Sequence, residues 1–421
     1  PTFTAPADIT ICRDVTCSYD TDPSITGDVT DEWDNCSTGI NAVYSDNIDN
    51  LTSCSIVGYI TRTWSLTDLA GNTTYHSQII WVQPVPRISV TVNDTICNNT
   101  QINFAIDSLV ISRGTVMYDL NVTYPGGVTG NLSNGPYPIT DITDNLANTN
   151  DSYQTVTYTF KPYIQGRNGD PTCHNGIDTT IYVIVEPTAK VTGTITQSEI
   201  CNNGSATISL SSVTVPSYGM EFNVGVINNY PEISGYSDVN GLTVSDLINQ
   251  TLHNSGDNAR MIRYVITPVL MGYGNIQKCP GINDTVSVWV NPTPRYVAQN
   301  INPQICYGGL TNIVLNSPTI PSPSGTVRLD YSISATQGPA VVGGNRTPVT
   351  DYVPGGNLTF PYTNESDTLQ SVYFIVTPKI NGLACANGIT DTVTVKVHAK
   401  PVQGLYVSSP LLCRDWYTGA L

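Results

Sequence analysis

The chain has 421 residues and a formal net charge of −16, from 33 acidic and 17 basic residues, with only 12% of its residues charged. That length suits about three or four domains, and a surface this acidic, with no basic run to offset it, excludes nucleic acid and anionic lipid as partners. With 40% apolar residues, 34 Gly, 28 Pro and no apolar run near the ~18 residues of a membrane span, the chain reads as packed domains of short strands and turns without membrane insertion.

Residues 1–86 come first. They contain "PADITICRDVTC", "DEWDNCSTGINAVYSD" and "CSIVGYITRTWSLTDLAGNTTYHSQIIWVQP", β-rich segments without a helical period. Residues 87–187, 188–292 and 293–400 then form three copies of one pattern. Each opens with a strand, a Cys-containing turn and another strand: "ISVTVNDTICNNTQINFAI", "KVTGTITQSEICNNGSATISL" and "YVAQNINPQICYGGLTNIVL". The tetrapeptide Ile96-Cys97-Asn98-Asn99 returns as Ile200-Cys201-Asn202-Asn203, and Ile305-Cys306 opens a variant copy. Strand candidates such as Thr115 to Thr123 and Thr326 to Ser334 fill the middle of a repeat. Each copy ends with an alternating strand, a Gly-rich loop with one Cys, an Asp-Thr pair and a second alternating strand, as in Thr179, Ile181, Val183 and Val185. Pro162, Pro268 and Pro378 fall at the same point of the first of these strands, which predicts an edge strand or a bulge. Residues 401–421, with Cys413, read as the start of a further, truncated repeat, so the chain is expected to be an internal piece of something longer.

About seven short strands per repeat predict an all-β architecture of tandem Ig-like antiparallel sandwiches. The joints Val82-Gln83-Pro84, Val185-Glu186-Pro187 and Val290-Asn291-Pro292 are short and contain proline, which predicts stiff connections and an elongated rod.

The 11 cysteines have no zinc spacing and argue for disulfides in an oxidising compartment. Pairing within repeats would join Cys97 to Cys173, Cys201 to Cys279 and Cys306 to Cys385, each stabilising by roughly 4 kcal/mol. The first turn and last hairpin of a sandwich lie at opposite ends, so a link from one repeat to the next, such as Cys97 to Cys279, is the alternative. Parity favours pairing within repeats, because the first domain has an even set, assigned as Cys36 with Cys54 and Cys12 with Cys17. Cys413 is then left unmatched.

The first domain resembles the HYR family of extracellular Ig-like modules, through Pro6 to Thr10, "DNC" at Asp34 to Cys36, "RTWSLTDLAGNTT" at Arg62 to Thr74 and "QII" at Gln78 to Ile80. Ala70 stands where that family often has a cysteine. The later repeats are similar to the PKD-like modules of Bacteroidota surface proteins, most clearly in "ACANGITDTVTVKV" at Ala384 to Val397. Such arrays look like the shafts of giant adhesins exported by the type IX route, a class that includes SprB-like gliding adhesins. The resemblance implies an extracellular filament anchored at the outer membrane. It would contact neighbouring repeats of the same chain, and its motility or secretion machinery and external surfaces or glycans through regions outside this segment.

No catalytic motif is present: no nucleophile elbow, zincin helix, Walker loop or Rossmann fingerprint. His76, His174, His253 and His398 are scattered, and His174 cannot form a dyad with Cys173 if that sulfur is oxidised. No cofactor is expected except calcium, whose oxygen donors would come from the acidic first domain, with Asp31, Asp34 and Asp46 as candidates. The competing reading is a solvated acidic face. Sequons occur at Asn72, Asn121, Asn249 and Asn357, at a density expected by chance. The O-linked pattern of Bacteroidota marks Thr95, Ser108, Thr179, Thr285, Thr368 and Thr392, although Asp-Thr also suits a strand start. The leading expectation is a non-catalytic shaft segment that projects a distal adhesive tip. The alternatives are a glycan- or protein-binding module using aromatics such as Trp33, Trp289 and Trp416, or the accessory stalk of a secreted enzyme.

Overall fold

A computed structural model describes residues 1–275, 277–335 and 340–401. Cys413, Trp416 and the expected further repeat of residues 401–421, Pro401 apart, lie outside the described residues. By proximity the chain divides into two compact units. Unit 1 holds Pro1–Ala189 with Thr214–Gly219 and Leu270–Pro280, and unit 2 holds Lys190–Val213, Met220–Val269 and the described residues from Gly281 onward.

In unit 1, the first domain forms β1 (Ile9–Cys12), β2 (Val43–Asn47), β3 (Gly58–Thr67) and β4 (Thr73–Gln83), ordered β1-β4-β3-β2 with β1 parallel to β4. Along β3 every second residue is buried, so Ile60, Trp64 and Leu66 reach the core, as period-2 strand geometry requires. Arg62 shares that inward face and is fully buried. Its cost is offset by a bidentate pair with Asp46 (2.8 and 2.9 Å), bonds to Thr26 Oγ1 (2.7 Å) and the Thr21 carbonyl (2.6 Å), and the Tyr44 ring 3.9 Å away. One helical turn, Pro23–Thr26, departs from the all-strand expectation. Asp22 caps it by accepting from Ser24 N–H, and four residues are too few to show a period in sequence.

The second domain is a sandwich of nine strands: β5 (Ile88–Thr91), β6 (Thr95–Ile96), β7 (Thr100–Ser108), β8 (Thr115–Thr123), β9 (Val128–Thr129), β10 (Gly135–Pro138), β11 (Ile142–Asn148), β12 (Gln154–Gln165) and β13 (Thr179–Val185). One sheet runs β10-β8-β12-β13-β6 and the other β5-β7-β11-β9. The chain changes sheets between β5 and β6, and β6 pairs in parallel with the end of β13. Phe104, Tyr118, Tyr158 and Phe160 fill the core between the sheets.

In unit 2 the third and fourth domains follow the same plan. Glu199–Ile200 pairs in parallel with Asp284–Val290, and Gln304–Ile305 with Asp391–Val397. Phe222, Ile262, Tyr264 and Val288 are in the core of one, and Leu329, Tyr362, Phe374 and Val395 in that of the other. The expected strand Thr326 to Ser334 is present as Thr326–Ala335.

The repeated proline is not on an edge strand. Pro162 lies in β12, between β8 and β13, and Pro378 lies in Gln370–Asn381, also an interior strand. The ladder from Gln370–Asn381 to Asp391–Val397 has already ended at Val376↔Asp391. The Pro378 carbonyl accepts from Gly388 N–H (2.8 Å) and the Pro268 carbonyl from Gly281 N–H (2.7 Å). A residue's N–H points to the same side as its carbonyl, so the proline withholds a donor only where the neighbouring strand has run out.

Candidate functional site: a joint built in repeated register

The recurring Ile-Cys turn ends the short parallel strand of each sandwich. Ile96 lies opposite Val185, Ile200 opposite Val290 and Ile305 opposite Val397. Ile11 lies opposite Val82 in the first domain, so Ile11-Cys12 is a further copy of the same element. Each turn needs one left-handed residue, supplied by Asn99 (φ 55°), Asn203 (φ 64°) and Gly308 (φ 75°). The preceding asparagine works with both ends of its amide. Asn98 Oδ1 accepts from Asn148 N–H (2.7 Å) and Nδ2 donates to Thr188 Oγ1 (2.7 Å). Asn202 Oδ1 likewise accepts from Asn254 N–H (2.8 Å).

The turn therefore lies where the last strand of its domain meets the joint, and the Cys-bearing hairpin lies at the other end. Within the second domain, Cys173 bridges to Ile164, whereas Val185, beside Cys97, pairs with Gln154. The ten residues of β12 between those points span ~33 Å, far beyond the ~7 Å Cα limit of a disulfide. The bonds expected within repeats are thus replaced by bonds that reach one repeat forward: Cys12–Cys173, Cys97–Cys279 and Cys201–Cys385, with Cα separations of 5.6, 5.6 and 5.3 Å. Cys306 is disulfide-bonded, and not to Cys385. In the first domain Cys17 pairs with Cys54, and Cys36 is free and exposed, which overturns both pairs expected there. The even set of cysteines in the first domain does not close on itself, because Cys36 stays free and Cys12 bonds into the second domain.

Around each of these bonds the same polar clamp recurs. The residue between Val and Pro is buried at every joint: Gln83, Glu186 and Asn291. Gln83 Oε1 accepts from Arg113 N–H (3.0 Å), the Glu186 carboxylate from Ser217 N–H (3.2 Å) and hydroxyl, and Asn291 Oδ1 from Ser322 N–H (2.8 Å). Two residues before each of these donors, a parallel bridge closes the joint: Ile56↔Ile111, Ser152↔Val215 and Asn258↔Ile320. Ile111 N–H donates to Ser55 O (2.9 Å), Val215 N–H to Asp151 O (2.8 Å) and Ile320 N–H to Asp257 O (2.9 Å). Local contacts then differ. Arg113 pairs with Asp170 (3.3 Å) and lies 4.6 Å from the Trp81 ring. Lys278 Nζ donates to Thr95 O (2.6 Å), and Ser322 and Ser324 hydroxyls donate to Glu199 (2.9 and 3.0 Å).

A second recurrent residue locks each turn to its sandwich. Asn148, Asn254 and Asn364 are buried, and each donates through Nδ2 to the last-strand carbonyl of Val185 (3.0 Å), Val290 (2.8 Å) or Val397 (2.9 Å). Sequence reasoning missed these asparagines because each sits in a stretch rich in Asn, Asp and Ser. Their spacing of 106 and 110 residues was the available signal.

The remaining candidates do not converge. Among the described residues no three His, Cys, Asp or Glu side chains form a group that could hold a metal. Asp31 accepts from Thr4 N–H (2.9 Å) and Asp34 from Cys36 N–H (2.9 Å), bonds that hold both carboxyls below their ordinary range, while Asp46 is committed to Arg62. Asp31, Asp34 and Asp46 are thus three separate structural groups. Ser108, Thr285, Thr368 and Thr392 are exposed and Thr179 is half-buried, but Thr95 is buried in β6 and donates to Asp94, so its hydroxyl has no room for a glycan. Trp33 is exposed and Trp289 half-buried. Cys173 is oxidised, and His174 stacks on Tyr163.

These sheets and joints define a class: an all-β protein of tandem Ig-like sandwiches. No protein-family model matches the chain, and no characterised protein does. Among solved structures it is similar to protocadherin Gamma B2 extracellular cadherin domains 3–6, at 12% identity over 96% of this chain and 100% of that chain, TM-score 0.28. The Escherichia coli adhesin FdeC aligns at 13% identity over 76% of this chain and 100% of that chain, TM-score 0.31. The ICAM-5 D1–D4 ectodomain fragment aligns at 10% identity over 82% of this chain and 84% of that chain, TM-score 0.29. Likeness at these values says nothing of activity or partners.

Proposed function

We propose that this chain is a non-catalytic structural segment of a long, secreted cell-surface adhesin, one that carries a distal adhesive tip. The observation that supports this reading is the joint: an Ile-Cys turn, a forward disulfide, a buried polar clamp and a parallel bridge, all in the same register at three successive joints. Side chains conserved in this way through one chain serve domain-to-domain geometry, which is what a shaft requires. Disulfides of this number form in an oxidising compartment, in keeping with a secreted protein. The HYR-like and PKD-like resemblances add the filaments of type IX-exported and gliding adhesins as the specific setting, with neighbouring repeats of the same chain as the immediate partners.

The test is deletion of these repeats from the parent gene. Filaments seen by electron microscopy should shorten while the isolated tip keeps its ligand binding. The purified segment should also give no saturable signal on glycan arrays. A saturable glycan hit that is lost on Trp33→Ala would favour the binding-module reading instead. A catalytic domain in the parent protein would favour the enzyme stalk.

A further inference from the structure

The forward disulfides overlap along the sequence. Cys12 joins Cys173, Cys97 joins Cys279 and Cys201 joins Cys385, with sequence separations of 161, 182 and 184. We infer that two of them, Cys12–Cys173 and Cys201–Cys385, form a strap that carries tension past the sandwiches, so that most of the chain cannot be drawn out by force. The inference follows from connectivity. A pull applied between the N-terminal strand and the last hairpin travels along the shortest covalent route. From Cys12 that route crosses to Cys173, follows the backbone for 28 residues to Cys201 and crosses to Cys385. Fully extended, those 28 residues reach ~100 Å. The 373 residues from Cys12 to Cys385 would reach ~1,300 Å without the bonds. Residues 13–172 and 202–384 therefore stay slack even when their sandwiches unfold.

The strap makes the three bonds unequal. Cys97–Cys279 is not on the shortest route, because using it means returning from Cys173 to Cys97, a detour of 76 residues. It holds its joint without limiting extension. Cys12–Cys173 does limit it. Without that bond the shortest route runs through Cys17–Cys54, Cys97–Cys279 and Cys201–Cys385, along backbone stretches of 5, 43 and 78 residues in place of the single stretch of 28.

The test is single-molecule pulling of the whole oxidised chain, with handles at Asp8 and Lys400. Three proteins are compared: unaltered, Cys97→Ser/Cys279→Ser, and Cys12→Ser/Cys173→Ser. The first two should have the same limiting extension, and the third should extend at least threefold further between the strap points. Equal extension in all three, or lengthening of the Cys97→Ser/Cys279→Ser protein as large as that of the third, would overturn the strap. Both double variants lose one disulfide, so a general loss of stability would move them alike and cannot produce the asymmetry. The inference rests on the disulfides and not on the adhesin reading, which glycan binding or repeat deletion tests separately.

Discussion

Asn254→Ala gives the sharpest test of how a sandwich holds its joint turn. The Asn254 side chain is buried and makes three bonds, from Nδ2 to the carbonyls of Val290 (2.8 Å) and Asn258 (2.9 Å) and to Oδ1 from Gly256 N–H (2.9 Å). Alanine removes all three, while the Val290 carbonyl keeps its place in the ladder opposite Arg260. At about 1 kcal/mol per net bond, the cost is about 2–4 kcal/mol. That corresponds to a ~30- to 1,000-fold loss of protection. Unfolding of several linked domains is not a single transition. Amide hydrogen exchange of the hairpin strands Arg260–Met271 and Asp284–Val290 is therefore the assay, with the amides of β12 and β13 as the internal reference. Asn254→Asp should be worse than alanine at neutral pH, since it sets a carboxylate against two carbonyls. Protection unchanged within threefold, or an aspartate variant as stable as the parent, would refute the reasoning.

Other expectations follow from the same details. Peptide mapping without reduction should recover Cys97–Cys279 and Cys201–Cys385 peptides, and maleimide should label Cys36 in the folded chain; a Cys97–Cys173 peptide would contradict the fold. Gly308→Ala should cost about 1 kcal/mol and Asn99→Gly almost nothing, because both positions need a left-handed backbone; thermal melts of the two variants decide this. In the fourth sandwich Lys379 lies 2.8 Å from Asp330 and 2.9 Å from Asp351. Lys379 and Asn381 hold the Asp351 carboxyl below its ordinary 3.8, and Asp330 and Asp351 hold Lys379 above its ordinary 10.5. A lowered acid stabilises above its unfolded value and loses that contribution as pH falls through its folded value. A raised base stabilises below its unfolded value and loses that contribution as pH rises through its folded value. The pair's contribution should therefore be full from about pH 5 to 9 and fade on either side. Lys379→Met should flatten both limbs in melts followed against pH, and an unchanged profile would dismiss the pair.

Much of the fold was legible from residue pattern alone. Strand β8 and the terminal hairpins were fixed by alternation of β-branched and aromatic residues with polar ones, since side chains on a strand face opposite sides with period two. The repeat register, with Ile-Cys near the start and Asp-Thr before the last strand, was equally plain, as were the Val-x-Pro joints. What the pattern could not supply was distance. Whether Cys97 meets Cys173 or Cys279 depends on which end of a sandwich each occupies, and that follows from the parallel pairing of β6 with β13. The same holds for Gln83, Glu186 and Asn291, three unlike side chains whose shared clamp exists only once a backbone N–H is placed against each. Asp31, Asp34 and Asp46 looked like one acidic cluster because they are close in sequence, and folding gave each its own partner. Sequence determined the strands and their repetition, because those depend on local periodicity. Tertiary structure alone decided which cysteines bond and which polar groups meet, because those depend on where the two ends of each sandwich lie in space.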